Sequence, residues 1–109
     1  MGTTNYVGAV VKILETPKQK FLKKNTFAVK CRVQFPQLKS SKLVHLTFWG
    51  NLARDVLKYY KTNDYILIEG YVSLRNKANS NPMSKNSKQA EISVTKVYPF
   101  LLSDGRRIN

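Results

Sequence analysis

Cations and aromatic residues share the outward positions of the strand-like stretches in this chain. Alternation places Lys30, Arg32, His45, Trp49, Tyr71 and Arg75 on that side. Cations follow a phosphate backbone, and aromatic faces accept unstacked bases at roughly 1 to 3 kcal/mol per base. A single-stranded nucleic acid needs both, whereas a duplex offers phosphates but no free base faces. Lysine-rich segments flank these positions in sequence, with Lys18, Lys20, Lys23 and Lys24 before them and Lys77, Lys85 and Lys88 after.

The charge is unevenly placed. Between Glu15 and Asp55 there is no acidic residue and nine basic ones, and between Glu69 and Glu91 there is again none against four basic ones. Those thirteen equal the net charge of +13 over 109 residues, so the surplus positive potential belongs to particular segments. Fourteen of the nineteen basic residues are Lys. Lys neutralises phosphate as a mobile point charge, while the Arg fork is the usual reader of base edges, so binding with little sequence preference is expected. A hydrophobic fraction of 42% makes the charge the decoration of a folded body and not a disordered tail.

Other chemistries lack their residues. One Cys and one His leave no spacing suited to structural zinc or a disulfide framework, and no metal or cofactor is expected. Cys31 falls on an inward strand position and has no partner that would make it a nucleophile. A barrel nuclease needs clustered carboxylates for a divalent metal, and the six acids are dispersed, so the chain is read as a non-enzyme. No run of 18 apolar residues occurs and the start runs straight into a strand-like pattern, so no membrane span and no targeting segment are expected. The protein is expected to work where it is made.

The elements that must hold these residues are mostly strands. Residues 5–15 alternate with apolar residues on both faces: Val7, Ala9, Val11 and Ile13 on one, Tyr6, Val10 and Leu14 on the other. Pro17 to Asn25 reads as a loop. From Thr26 the alternation is clean, with Phe27, Val29, Cys31 and Val33 inward and Thr26, Ala28, Lys30, Arg32 and Gln34 outward, until Pro36 breaks it. A third strand, Lys42 to Trp49, puts Val44, Leu46 and Phe48 inside. A short amphipathic helix follows, with Leu52, Ala53, Val56, Leu57 and Tyr60 on its apolar side. The fourth strand, Tyr65 to Arg75, is expected to bury Ile66, Ile68, Val72 and Leu74, with a bulge or bend at Gly70. Asn76 to Lys88 reads as a long loop, and a last strand from Gln89 buries Ala90, Ile92 and Val94. Three strands, a helix and two strands in one domain suit an all-β, five-stranded Greek-key barrel of the OB type, with the helix between strands 3 and 4. Residues 1–100 would form that domain and 101–109 a short C-terminal tail.

The middle of the chain resembles a known family. His45-Leu-Thr-Phe-Trp-Gly-Asn-Leu-Ala53, Val56-Leu-Lys-Tyr-Tyr60 and Ile66-Leu-Ile-Glu-Gly-Tyr-Val72 are similar to the strand, helix and strand of bacterial and organellar single-stranded DNA-binding proteins (SSB). Asn5-Tyr-Val-Gly-Ala, Phe27-Ala-Val and Glu91-Ile-Ser-Val-Thr-Lys-Val97 fall in the matching order, so the resemblance spans nearly the whole chain. It implies that Trp49 occupies the place of a base-stacking aromatic and that Phe35 lies near another. Strand parity also allows Trp49 a core or subunit-interface position, and Tyr71 and Phe35 are suited to packing as much as to stacking. Leu43 stands where the family often has Trp, and Lys77 lies near the place of a hairpin aromatic. The acidic, Phe-ended tail of the family is replaced by Ser103-Asp-Gly-Arg-Arg-Ile-Asn109. The short form is similar to plastid or cyanobacterial SSB-like proteins, or to primosomal replication protein N. This resemblance makes the expected place of action the bacterial cytoplasm or the plastid stroma.

The resulting expectation is a protein that binds single-stranded DNA with little sequence preference and protects or presents it in replication, recombination or repair. RNA binding and a primosome accessory role are the alternatives. The second apolar face of the first strand, together with the resemblance, leads to a homo-oligomer, dimer or tetramer, and replication proteins are the expected further partners.

Overall fold

The computed structural model describes residues 5–22, 26–36, 43–76 and 88–106. Six strands and one helix follow one another: β1 Tyr6–Ile13, β2 Lys18–Leu22, β3 Thr26–Gln34, β4 Leu43–Trp49, α1 Gly50–Tyr59, β5 Tyr65–Asn76 and β6 Lys88–Leu101. The sheet order is β1-β5-β6-β4-β3-β2, and a further pairing of β1 with β3 closes β1, β3, β4, β6 and β5 into a barrel. All pairings are antiparallel except that of β4 with β6, which is parallel. This is the expected five-stranded barrel with its helix after the third barrel strand. No helix among the described residues is long and apolar enough to cross a membrane.

The segment read as a loop from Pro17 to Asn25 contains β2, which forms an edge hairpin on β3 from Lys18↔Lys30 to Leu22↔Thr26. Its lysines weaken the strand signal because Lys has low β-propensity. Lys is nevertheless what an edge strand carries to keep its open side from pairing with another chain.

The core follows the period-two pattern. Ala9, Val11 and Ile13 meet Val29, Cys31, Val33, Val44, Leu46, Phe48, Ile66, Ile68, Ile92 and Val94, and α1 adds Ala53 and Val56. Three expectations fail at its margins. Leu57, expected on the apolar side of α1, is 37% exposed, because the helix turns Ala53 and Val56 into the core. Ala28, expected outward, is fully buried although its register neighbours Lys20 and Trp49 lie on the outer face. Leu74, expected inside, is 63% exposed, because it pairs with Ala90 where the β5–β6 hairpin runs past the last closely packed pair, Val72 and Ile92.

Two glycines meet backbone demands. Gly50 has φ +58°, a left-handed conformation that turns the chain from β4 into α1 immediately after Trp49. Gly70 sits at the register shift between β5 and β6, where a Cβ would lie 2.3 Å from the Ser93 carbonyl oxygen. The bend expected at Gly70 is therefore a bulge made possible by close backbone approach.

Beyond β6 the chain folds back on the turn that follows α1. The buried Asp64 carboxylate accepts hydrogen bonds from the backbone N–H groups of Lys61 at 2.8 Å and Ser103 at 2.9 Å, and pairs with the Arg106 guanidinium. Arg106 also donates to the Tyr59 carbonyl at 2.8 Å, and Leu102 packs against the core.

Candidate nucleic-acid interface

The outer surface of the sheet is ordered in cross-strand rows, since paired residues project to the same side. One row crosses all six strands. It runs Lys18 on β2, Lys30 on β3, Thr47 on β4, Ser93 on β6, Tyr71 on β5 and Tyr6 on β1. On one side of it lies the row Lys20–Ala28–Trp49, and on the other Arg32–His45–Glu91–Ser73. Pairing across β3 and β4 thus brings cations and an aromatic side chain into adjacent rows.

Trp49 is 42% exposed at the end of β4, which settles its strand parity in favour of the surface of this chain. Tyr71 is 49% exposed, and Lys18, Lys20 and Arg32 are exposed with Lys30 half-buried. Phe35 follows β3 and packs, half-buried, against the core, so it is held apart from the exposed aromatic positions. The backbones of Arg75 and Lys88 pair with Gln89 and Asn76 at the far end of the β5–β6 hairpin. Lys23, Lys24, Lys77 and Lys85 lie outside the described residues.

The fold also brings acids from the ends of the acid-free stretches onto the basic rows. Glu15 pairs with Arg32 at 3.1 Å, and Glu91 lies 4.0 Å from Lys30. His45 sits half-buried among these four charges. Its pKa is lowered chiefly by burial, with Arg32 and Lys30 acting the same way against the opposing pull of Glu91 and Glu15. The imidazole is therefore neutral at pH 7. Thr47, at the centre of the long row, is 2% exposed, and its hydroxyl has no hydrogen-bond partner among the described residues.

At the β1 end the long row closes on an aromatic pair. The Tyr6 and Tyr71 rings meet edge to face, 5.0 Å between centroids and 69° between planes. The Tyr6 hydroxyl donates to Glu69 Oε1 at 2.8 Å and lies 3.2 Å from Thr95 Oγ1. Tyr6 reads from sequence only as part of the second apolar face of β1. Its register with Tyr71 is a long-range fact that strand periodicity does not contain.

Cys31 is a core residue whose thiol is pushed up to about 12, first by burial and then by Glu15, so it stays protonated and unreactive. Among the described residues no group of three His, Cys, Asp or Glu is placed to hold a metal ion.

No family model matches the chain. It is 40% identical over 102 residues to the "Putative single-stranded DNA-binding protein ycf41" of Trieres chinensis, covering 90% of each chain. Its fold recurs in many solved structures, of which three illustrate the likeness. The SSB domain of a Synechococcus sp. protein superposes with a TM-score of 0.71 at 22% identity, covering 90% of this chain and 98% of that one. The small single-stranded DNA-binding protein of Streptomyces coelicolor gives 0.75 at 14% identity, with 92% and 97% covered. The second single-stranded DNA-binding protein, SSBb, of Mycobacterium smegmatis gives 0.67 at 23%, with 98% and 96% covered. The barrel, the strand–glycine–helix junction after Trp49 and the identity over nine-tenths of both chains agree: the chain belongs to the single-stranded DNA-binding protein family.

Proposed function

We propose that the protein binds single-stranded DNA with little sequence preference, across the outer rows of β2, β3 and β4, and protects or presents it in replication, recombination or repair. One observation carries this reading: Lys18 and Lys30 pair across β2 and β3 in the row next to the one that holds Lys20 and the exposed Trp49. Lys18, Lys20, Lys30 and Arg32 would follow the phosphates while Trp49 stacks a base, a division of labour that suits unpaired strands of any sequence. Lys23, Lys24, Arg75, Lys77, Lys85 and Lys88 would extend the positive surface, and His45 would line it as a neutral polar residue. The acts required are binding and release, with no bond broken. Residues 1–100 are the binding domain of this reading and 101–109 its tail, which begins inside β6 and folds back onto the domain through Leu102 and Arg106.

The outer side of β1, β5 and β6 supports a homo-oligomer. Val10, Leu67 and the 44% exposed Tyr98 form an apolar row, with Phe100 and Leu101 exposed beyond it. Exposed apolar area of this kind is what a second copy would cover. The Trieres and Synechococcus relatives support a plastid or cyanobacterial setting.

The test is a fluorescence titration of Trp49 with oligo-dT. Stacking quenches the emission, and log affinity falls with log salt at about −0.7 per phosphate neutralised. Absence of quenching, together with equal affinity for duplex, overturns the reading. Stronger competition by oligo-U than by oligo-dT would make RNA the ligand.

A further inference from the structure

We propose that the Tyr6–Tyr71 pair is a second stacking platform, which takes a base at the far end of a strand that enters at Lys18 and Lys30. The proposal rests on the single-stranded DNA reading and deepens it by giving the bound strand a path. The long row joins these two ends without a gap through Thr47 and Ser93. It makes five interstrand steps of about 4.8 Å, roughly 24 Å in all. Ser93 is exposed, and Thr47, 2% exposed, lies beneath its neighbours, so a chain crossing there rests on the side chains of the adjacent rows.

The far end is built to present a ring. Tyr71 is 49% exposed and braced edge-on by Tyr6. Tyr6 is itself held at its hydroxyl by Glu69, whose backbone carbonyl accepts from Thr95 at 3.1 Å. A braced ring loses little freedom when a base stacks on it, which is the condition for stacking to add affinity. The next row along the strands, Gly8–Glu69–Lys96, is charged and separates this pair from the apolar row at Val10 and Tyr98. The pair is thus continuous with the cationic rows and set apart from the face suited to a second copy.

The path also selects for single strands. The row follows the curved outside of a barrel, and duplex DNA, with a persistence length of about 50 nm, stays straight over such a distance. A single strand can follow it.

The experiment compares oligo-dT of about 4 and about 16 nucleotides on the wild type and on Tyr71→Ala, Tyr71→Phe and Tyr6→Ala, read by Trp49 quenching. Tyr71→Ala should leave the affinity for the short strand unchanged and weaken the long one about 5- to 150-fold. Tyr71→Phe should keep wild-type behaviour, and Tyr6→Ala should weaken the long strand less than Tyr71→Ala does. Equal affinity of wild type and Tyr71→Ala at both lengths overturns the proposal. So does an equal loss at both lengths, or a change of oligomeric state by light scattering in Tyr71→Ala. If the wild type shows no quenching at either length, the single-stranded DNA reading fails along with the proposal.

Discussion

At Lys30 and Arg32 the cations are already engaged, by Glu91 and Glu15, so a phosphate has to replace a carboxylate that the protein itself supplies. Both pairs are partly exposed, and such pairs contribute only about 0.2 to 1 kcal/mol each. They are weak enough to be displaced and strong enough to temper binding. Glu91→Gln should therefore tighten oligo-dT binding by about 1.5- to 5-fold, and Glu15→Gln should do the same. If the freed cation takes up a further phosphate, the salt slope steepens by about 0.7. Titrations at three salt concentrations check both numbers, and an unchanged affinity in both variants would show that the acids do not compete with phosphate. The outward side of Lys30, Arg32 and Trp49 was legible because alternation alone sets it. The two acids were not, since Glu15 lies beyond the end of β1 and Glu91 on the last strand, and only folding brings them to the basic rows.

Strands carry the site, and their faces were readable wherever one side is packed and the other wet. From Phe27 to Val33 and from Val44 to Phe48, core residues occupy every second position, leaving one register that buries them all. β2 escaped because Lys18 and Lys20 raise its polarity without breaking its alternation, and pairing with β3 is what makes it a strand. The bulge in β5 was legible as a glycine, but the contact that requires it was not. With the Ser93 oxygen 2.3 Å from where a Cβ would stand, Gly70→Ala must push β5 away from β6. Overpacking of this kind costs about 1 to 3 kcal/mol. The expected result is a lower urea midpoint with an unchanged slope, and weaker oligo-dT binding because Tyr71 is displaced from its register with Ser93. An unchanged midpoint would mean that the bulge yields freely.

Over the whole molecule five of the six acids are spent on a few tasks. Glu15 and Glu91 temper the basic rows and Glu69 holds Tyr6, while Asp64 and Asp104 fasten the end of the described chain near the C-terminus of α1. Asp104 accepts from Lys61 at 2.9 Å and from Arg106, and these bonds hold its carboxyl well below the usual range. Asp64 is fully buried, and burial by itself would raise its pKa. The hydrogen bonds from Ser103, Arg106 and Lys61 outweigh that, and the net shift is downward. A carboxyl whose folded pKa lies below its unfolded value of about 3.9 adds stability above that value and loses it as pH falls through the folded one. Urea midpoints should accordingly be level from pH 7 to about 5 at this site and drop in the acid range below about 4. The backbone N–H groups of Lys61 and Ser103 meet different oxygens of Asp64, so Asp64→Asn leaves one of them facing an NH2 group and also loses the charge opposite Arg106; it should cost about 1 to 3 kcal/mol at pH 7 and flatten the acid limb. The gap between the variant and the wild type should narrow as the pH falls through the lowered folded pKa, where the native carboxyl gains its proton. A variant as stable as the wild type at pH 7, with the same acid limb, would show that the returning chain end is fastened by Leu102 against the core and not by this charge.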